Sequence, residues 1–132
     1  MLTIDVRRRG DMVVLDLAGK LHQGDPAERL TDKVNSLLHQ GNRRFVINLE
    51  MVRTMDSPGF GALIEAQSEV EGAGGQIALV NVTKRLRDMI VIAGLLSHFR
   101  IFEAEAEAAA ALMPEWTDAP SAPAGYRLFG TV

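Results

Sequence analysis

The chain has 132 residues, of which 47% are hydrophobic and 23% charged, and this fits one globular domain large enough to bury its own core. The formal net charge of −3 at pH 7 disfavours binding to nucleic acid or to an anionic membrane surface. Because cysteine is absent, a disulfide framework, a thiolate zinc site and a cysteine nucleophile are all excluded. The first residues lack the apolar core of a signal peptide, and no stretch approaches the length of a membrane span, so we expect a cytoplasmic protein without membrane insertion.

The chain begins with a pattern of alternating apolar and polar residues. This pattern predicts a β-hairpin with strands over 2–8 and 12–18. From Pro26 to Gln40 the apolar residues recur at helical spacing, and Asp25 is the predicted N-cap of this helix. The short apolar run over 44–49 is typical of a strand covered on both faces of a parallel sheet, so we expect it to lie centrally.

Helices and strands continue to alternate after this strand. The predicted elements are a helix that ends at Gly72, a strand over 76–80, a helix from Thr83 to Gly94, a strand over 100–102 and an alanine-rich helix over 104–112. The order ββαβαβαβα predicts an α/β fold, in which an N-terminal hairpin and then parallel strands form a mixed β-sheet covered by about four helices. We predict one domain over 1–113 and an Ala/Pro-rich C-terminal tail over 114–132. Four apolar residues near the end of the third helix are either fully buried or form an exposed contact patch: Val91, Ile92, Leu95 and Leu96.

The junction between the predicted central strand and the next helix reads Met55-Asp56-Ser57-Pro58-Gly59-Phe60-Gly61. Ser57 is predicted to be the N-cap of that helix, with Pro58 at the first helical position, where no N–H donor is needed. The proline also biases Ser57 toward extended dihedrals, which suits an N-cap. A hydroxyl at the carboxyl end of a parallel strand lies where ligands and modifying enzymes reach α/β sheets. Gly59 and Gly61 are predicted to allow close helix packing.

At this junction the sequence resembles the STAS domain family, and within it the anti-sigma-factor antagonists. The resemblance covers about residues 2–112 and extends to the strand 14–21, the strand 45–49, Gly75 and Gly94-Leu95. It implies a STAS-type fold and a non-enzymatic binding protein that needs no cofactor and no metal.

The resemblance also implies a partner-switching function. The unphosphorylated protein would bind an anti-sigma factor that is also a serine kinase, and phosphorylation on Ser57 would release that partner until a serine phosphatase restores the first state. Asp56 would support the phosphate acceptor or the kinase contact, and the implied partner-binding residues are Asp56, Ser57, Pro58, Gly59 and Phe60, with Asp25 in the loop before the first helix. Homo-oligomer formation is left open.

The sequence departs from the family pattern at two positions. Pro58 stands where the family usually has a small polar residue, commonly a second serine. His22 stands where an acidic residue often follows the strand that ends at Leu21, and Asp25 is the candidate to take the place of that acid.

Two other functions are weighed against partner switching. A structural STAS subunit, as in a stressosome-like or lipid-transport complex, would have the same fold without a sigma factor. A serine hydrolase would use Ser57 as nucleophile with Asp88 and His98, but Met55 breaks the first half of the G-x-S-x-G motif. The three histidines are scattered, with no metal-ligand spacing.

Overall fold

A computed structural model describes residues 1–112, which form a five-stranded sheet with helices on both faces. In chain order the elements are β1 (Leu2–Arg9), β2 (Met12–Leu21), α1 (Asp25–His39), β3 (Arg44–Met55), α2 (Ser57–Gly72), β4 (Gln76–Val80), α3 (Lys84–Ile92), a 3-10 helix (Leu96–His98), β5 (Ile101–Phe102) and α4 (Glu105–Ala111). The predicted α/β class is therefore confirmed. The predicted tail, 114–132, and residue 113 of the predicted domain lie outside the described residues.

The sheet has the strand order β1-β2-β3-β4-β5. The hairpin pair β1 and β2 is antiparallel, and every later pair is parallel, as predicted. β3 lies in the centre of the sheet, so residues such as Phe45 and Ile47 are fully buried. Because each parallel pair needs a crossover, the helices return the chain across the sheet between successive strands.

The helices cover the two faces unequally. Residues of α1, α2 and α3 pack with Leu15, Ile47 and Leu79 in the main core on one face. The opposite face has a smaller core, in which Ala108 of α4 and Leu112 pack on Val14, Val46 and neighbouring strand residues. Successive side chains of a strand point to opposite faces, which is why β2, β3 and β4 contribute to both cores.

β3 extends further than its apolar run predicted. The run ends at Leu49, but the strand continues to Met55 and stays paired with β2 up to the contact of Leu21 with Met55. The pairing contains register shifts between Asp16 and Ala18 and between Gly19 and Lys20. Charged residues that face solvent interrupt the hydrophobic pattern here, so the pattern did not predict this part of the strand. Backbone pairing with β2 maintains it. The extension brings the carboxyl ends of β2 and β3 side by side.

A polar network joins the smaller face to the edge hairpin. The Arg7 guanidinium binds Asp16 with Nε at 2.6 Å from Oδ2, and its Nη2 is 2.6 Å from Oε1 of Glu105 at the start of α4. Arg9 adds a bond to Oε2 of Glu105 at 3.0 Å. The hydrogen bonds from Arg7 hold the pKa of Asp16 and that of Glu105 below their usual ranges, although partial burial opposes both effects. Glu105 therefore anchors α4 over the sheet as a carboxylate.

The apolar end of α3 is exposed. Ile92 is 86% exposed and Val91 51%, while Leu96 in the 3-10 helix is 40% exposed. Leu95 is half-buried against the main core. The alternative of full burial is therefore wrong for three of these residues. Within residues 1–112, no helix combines the length and apolarity that crossing a membrane requires.

We expect Glu105→Gln to lower the free energy of unfolding by about 1 kcal/mol at neutral pH, because the amide cannot replace a carboxylate shared by two arginines. A carboxyl group whose pKa is depressed in the fold stabilises it above its ordinary pKa and loses that effect as the pH falls through the folded value. The difference between the two proteins in urea unfolding should therefore shrink as the pH falls from neutral through the acidic range in which this carboxyl group takes up its proton. Glu103→Gln, at an exposed position, is the matched control. A difference that stays constant over this pH range would contradict the assignment.

Candidate functional site

The predicted site lies where β2 and β3 end beside each other. Leu21 pairs with Met55, so the loop between β2 and α1, residues 22–24, faces the junction between β3 and α2 at Asp56. The amide of Asp56 donates to the carbonyl of Leu21 at 3.4 Å. The site is therefore made of two segments that are distant in sequence and adjacent in the sheet.

The N-cap of α2 is Asp56, and the prediction that Ser57 caps this helix is wrong. Asp56 has extended dihedrals, and its Oδ1 accepts a hydrogen bond from the amide of Gly59 at 2.8 Å. Ser57 is the first helical residue, and Pro58 follows it in the second position. Aspartate caps as well as serine does, and its two carboxylate oxygens can serve two donors at once. The second donor explains why Asp56 takes this position.

That second donor comes from the facing loop. Oδ2 of Asp56 accepts a hydrogen bond from the amide of Gln23 at 3.0 Å. This bond is the main cause that lowers the pKa of Asp56 below its ordinary value, with further contributions from the Gly59 amide and the nearby His22, against the opposing effect of desolvation. Asp56 is thus held as a carboxylate that ties the β2–α1 loop to the start of α2.

The helix start also touches the end of β2 directly. A Cβ atom on Gly59 would lie 2.0 Å from the carbonyl oxygen of Leu21 and 3.0 Å from Cγ of Met55. Only glycine allows this approach, so the predicted packing role of Gly59 is confirmed. Gly61 is exposed, and a Cβ there would meet no atom within 4 Å, so the same prediction is wrong for Gly61.

Ser57 and Pro58 are exposed, whereas Phe60 is buried with 7% exposure. In the described part of the chain no hydrogen bond involves the Ser57 hydroxyl. Phe60 therefore anchors the helix in the main core, and the side chain of Ser57 stays at the surface. The fold does not need the Ser57 hydroxyl.

His22 was not predicted as a site residue, but the structure places it here. Its Nε2 lies 2.8 Å from Oγ1 of Thr54, and both side chains are half-buried. The sequence signal was its position directly after Leu21, at the end of β2. What the sequence did not show is that the extension of β3 brings Thr54 beside it.

Asp25 does not cap α1 as predicted. The helix begins at Asp25 itself, and its N-cap is Gly24, which has a positive φ of 89° and makes no side-chain capping bond. An exposed carboxylate in the first helical turn is still favoured by the positive end of the helix dipole. Asp25 lies next to the loop, and its role in partner binding stays a prediction.

The described structure shows no hydrogen bonds among Ser57, Asp88 and His98, the three residues of the hydrolase hypothesis. Asp88 pairs with Lys84 on α3 at 3.0 Å, and the carbonyl of His98 accepts a hydrogen bond from Gln67. Among residues 1–112, no hydrogen bond links Ser57 to either of them, and no cluster of three or more His, Asp or Glu side chains could hold a metal ion.

Comparison with known proteins identifies the family. The model of the STAS domain matches residues 3–108. This chain belongs to the STAS domain family. An anti-sigma F factor antagonist from Lysinibacillus sphaericus is 30% identical to this STAS protein over 86 residues, which are 64% of this chain and 73% of the relative.

Solved structures share the STAS fold. One is an anti-sigma factor antagonist from Mycobacterium paratuberculosis, with a TM-score of 0.74, 20% identity and coverage of 85% of this chain and 94% of that one. Another is SpoIIAA of Bacillus in its phosphorylated form, with a TM-score of 0.66, 24% identity and coverage of 84% and 100%. At these identities the similarity establishes the fold.

The two glycines of the STAS junction give a matched pair of variants. Gly59→Ala should lower the free energy of unfolding by about 1 to 3 kcal/mol, because the new methyl group collides with the Leu21 carbonyl. Gly61→Ala should raise it by about 0.5 to 1 kcal/mol, because alanine favours an open helical position. Urea denaturation followed by circular dichroism measures both. Equal effects of the two substitutions would contradict the packing of α2 against β2.

The cap assignment gives a second pair. Asp56→Ala should lower the thermal midpoint of the STAS domain, because the amides of Gln23 and Gly59 both lose their acceptor. Ser57→Ala should leave the midpoint unchanged, because the Ser57 hydroxyl makes no hydrogen bond within residues 1–112. Differential scanning calorimetry measures the thermal midpoints of both variants. A larger loss for Ser57→Ala would restore serine as the cap.

Proposed function

We propose that this STAS protein is an anti-sigma-factor antagonist, which binds an anti-sigma factor with serine kinase activity while Ser57 is unmodified and releases it when Ser57 is phosphorylated. The main support for the proposal is that two different residues at the junction have two different roles. Asp56 caps α2 with its side chain, and Ser57 is exposed. A serine that is accessible and not required for folding suits a reversible modification. The anti-sigma F factor antagonist relative supports the same role.

The chemistry of the switch is one esterification and one hydrolysis. The kinase transfers the γ-phosphoryl group of ATP to Oγ of Ser57, the hydroxyl proton leaves to a base of the kinase, and ADP is released. A serine phosphatase then hydrolyses the ester with water and returns the hydroxyl and inorganic phosphate. Both reactions use catalytic groups of the partners, so this chain acts as a substrate and a ligand in the cytoplasm.

Phosphorylation would change the binding surface more than the fold. A phosphoserine carries about −1.5 to −2 charge at neutral pH, and at position 57 it stands directly after the Asp56 carboxylate. The predicted partner surface, which includes the exposed Ser57, Pro58 and Asp25, would become more negative. A partner that fits the neutral serine then meets a large desolvation cost and like-charge repulsion wherever it presents an acidic group.

The test compares charge and truncation at Ser57. Serine-kinase anti-sigma factors encoded by the source organism are purified, incubated with the STAS protein and ATP, and the phosphorylated residue is located by mass spectrometry. We expect phosphate on Ser57, and we expect Ser57→Ala to bind the same kinase while Ser57→Asp binds at least tenfold more weakly in calorimetry.

Ser68, an exposed serine further along α2, provides the matched control. Ser68→Asp adds the same charge to the same helix and should bind like the unmodified protein. Phosphate on another residue, or equal binding of the kinase by Ser57→Asp and Ser57→Ala, would contradict the proposal. Labelling of Ser57 by a fluorophosphonate probe would instead favour the hydrolase hypothesis.

A further inference from the structure

Three apolar residues at the end of α3 and in the following 3-10 helix are not covered by the rest of the described chain. Ile92 is 86% exposed, Val91 51% and Leu96 40%, and these three residues form the α3 patch. Half of the six exposed large hydrophobic residues among residues 1–112 therefore lie within 91–96. Single exposed apolar residues are ordinary in proteins, but a cluster of them is typical of a surface that contacts another molecule.

Gly61 on α2 is a second feature that the described fold does not require. It is exposed inside the helix, and a Cβ atom there would meet no atom within 4 Å. Glycine at such a position destabilises a helix relative to alanine. What glycine does provide is a flat surface, which the backbone of another molecule can approach closely.

Gly61 lies between Ser57 and the α3 patch. Ser57, Gly61 and Ile64 recur at helical spacing, so they lie along one side of α2. Gln67 lies one turn after Ile64, and its Nε2 donates a hydrogen bond to the carbonyl of His98, which holds the 3-10 helix beside α2. Residues of α2 and α3 also pack in the same core, on one face of the sheet. The outer surface therefore continues from the junction along α2 to the α3 patch.

The charges around the α3 patch indicate what kind of partner fits it. Residues 84–100 contain four Lys or Arg residues and one Asp, although the whole chain has a net charge of −3. Lys84 pairs with Asp88 at 3.0 Å, while Arg85 and Arg100 are exposed. Protein interfaces have an apolar centre and a polar rim, and their charges are complementary. The patch therefore fits a protein that presents an apolar surface with acidic residues around it.

We propose that Gly61 and the α3 patch belong to the surface that binds the anti-sigma factor, in addition to the residues at the junction. The anti-sigma factor lies close to the backbone of α2 at Gly61 and covers Ile92 with an apolar surface. The proposal rests on the proposed function for the identity of this partner. It extends that function by adding a contact that contains no modified residue, so this contact stays the same when Ser57 is phosphorylated.

The first test measures by calorimetry how the unmodified full chain binds the serine-kinase anti-sigma factor. Ile92→Ser should weaken this binding about tenfold or more, because the complex no longer buries the isoleucine side chain. Val6→Ser is the matched control, since Val6 is an apolar residue with 40% exposure on the edge strand β1. It should bind like the natural sequence. Circular dichroism should show the same fold for both variants, because both residues are exposed.

The second test uses two glycines of the same helix. Gly72, at the end of α2, is also exposed and open, but it lines the groove between α1 and α2. Gly61→Gln should weaken binding of the anti-sigma factor, because the new side chain stands between the helix and its partner, and Gly72→Gln should not. Neither variant should unfold at a lower urea concentration than the natural sequence. Equal binding by the two glutamine variants, or by Ile92→Ser and Val6→Ser, would overturn the inference.

Two other occupants of the α3 patch would give different results. If the patch joined two copies of this chain, Ile92→Ser would lower the mass of the free protein in analytical ultracentrifugation. If residues 113–132 covered it, Ile92→Ser would change the fluorescence of Trp116, the single tryptophan in the sequence. Either result would overturn the inference.

The inference and the proposed function can fail separately. Phosphate on Ser57 together with full binding by Ile92→Ser would contradict only the contact at the α3 patch. Weaker binding by Ile92→Ser together with phosphate on another residue would support that contact and contradict only the switch at Ser57.

Discussion

The carboxylate of Asp56 holds together the two halves of the candidate site. Its two oxygens bind amides from segments that lie more than thirty residues apart in the sequence, Gln23 in the β2–α1 loop and Gly59 in the first turn of α2. Neither amide belongs to a strand or to the interior of a helix, so without this carboxylate each would need water or another acceptor. The pKa of Asp56 is lowered for the same reason, since both hydrogen bonds favour the charged form of its carboxyl group. The position of the site therefore follows from where β2 and β3 end.

The geometry around this carboxylate is rigid for reasons that are independent of Ser57. Gly59 lies against the Leu21 carbonyl, Phe60 is buried in the main core, and Pro58 has a fixed φ. These three residues define the path of the chain on the C-terminal side of Ser57, and Asp56 defines it on the other side. A charge placed on Ser57 thus acts on a framework that already has one conformation, and its effect is expressed in the electrostatic field of the surface.

The sequence predicted the architecture well because the apolar periodicity is strong in most elements. The buried run over 44–49 predicted a central strand, and the helical stripe that contains Leu30 and Val34 predicted α1. The predictions were wrong where local sequence preferences are compatible with two different structures. Aspartate and serine cap helices equally well, so residues 56–58 alone could not decide between Asp56 and Ser57. The deciding interaction is the bond from Gln23, which depends on the register of β2 with β3 and on two irregularities in their pairing. The partnership of His22 with Thr54 was hidden for the same reason.

On the proposed function, the division of roles between Asp56 and Ser57 would separate folding from modification. If Ser57 were the cap, each phosphorylation would replace the capping hydroxyl by an ester, and the loss of a cap changes the free energy of unfolding by about 1 kcal/mol. Stability and signal would then change together. Because Asp56 supplies the cap, the state of Ser57 can change while the helix, the loop and the buried Phe60 keep their contacts. On the proposed function, the charge at the junction then depends on the fixed carboxylate of Asp56 and on whether Ser57 carries a phosphate.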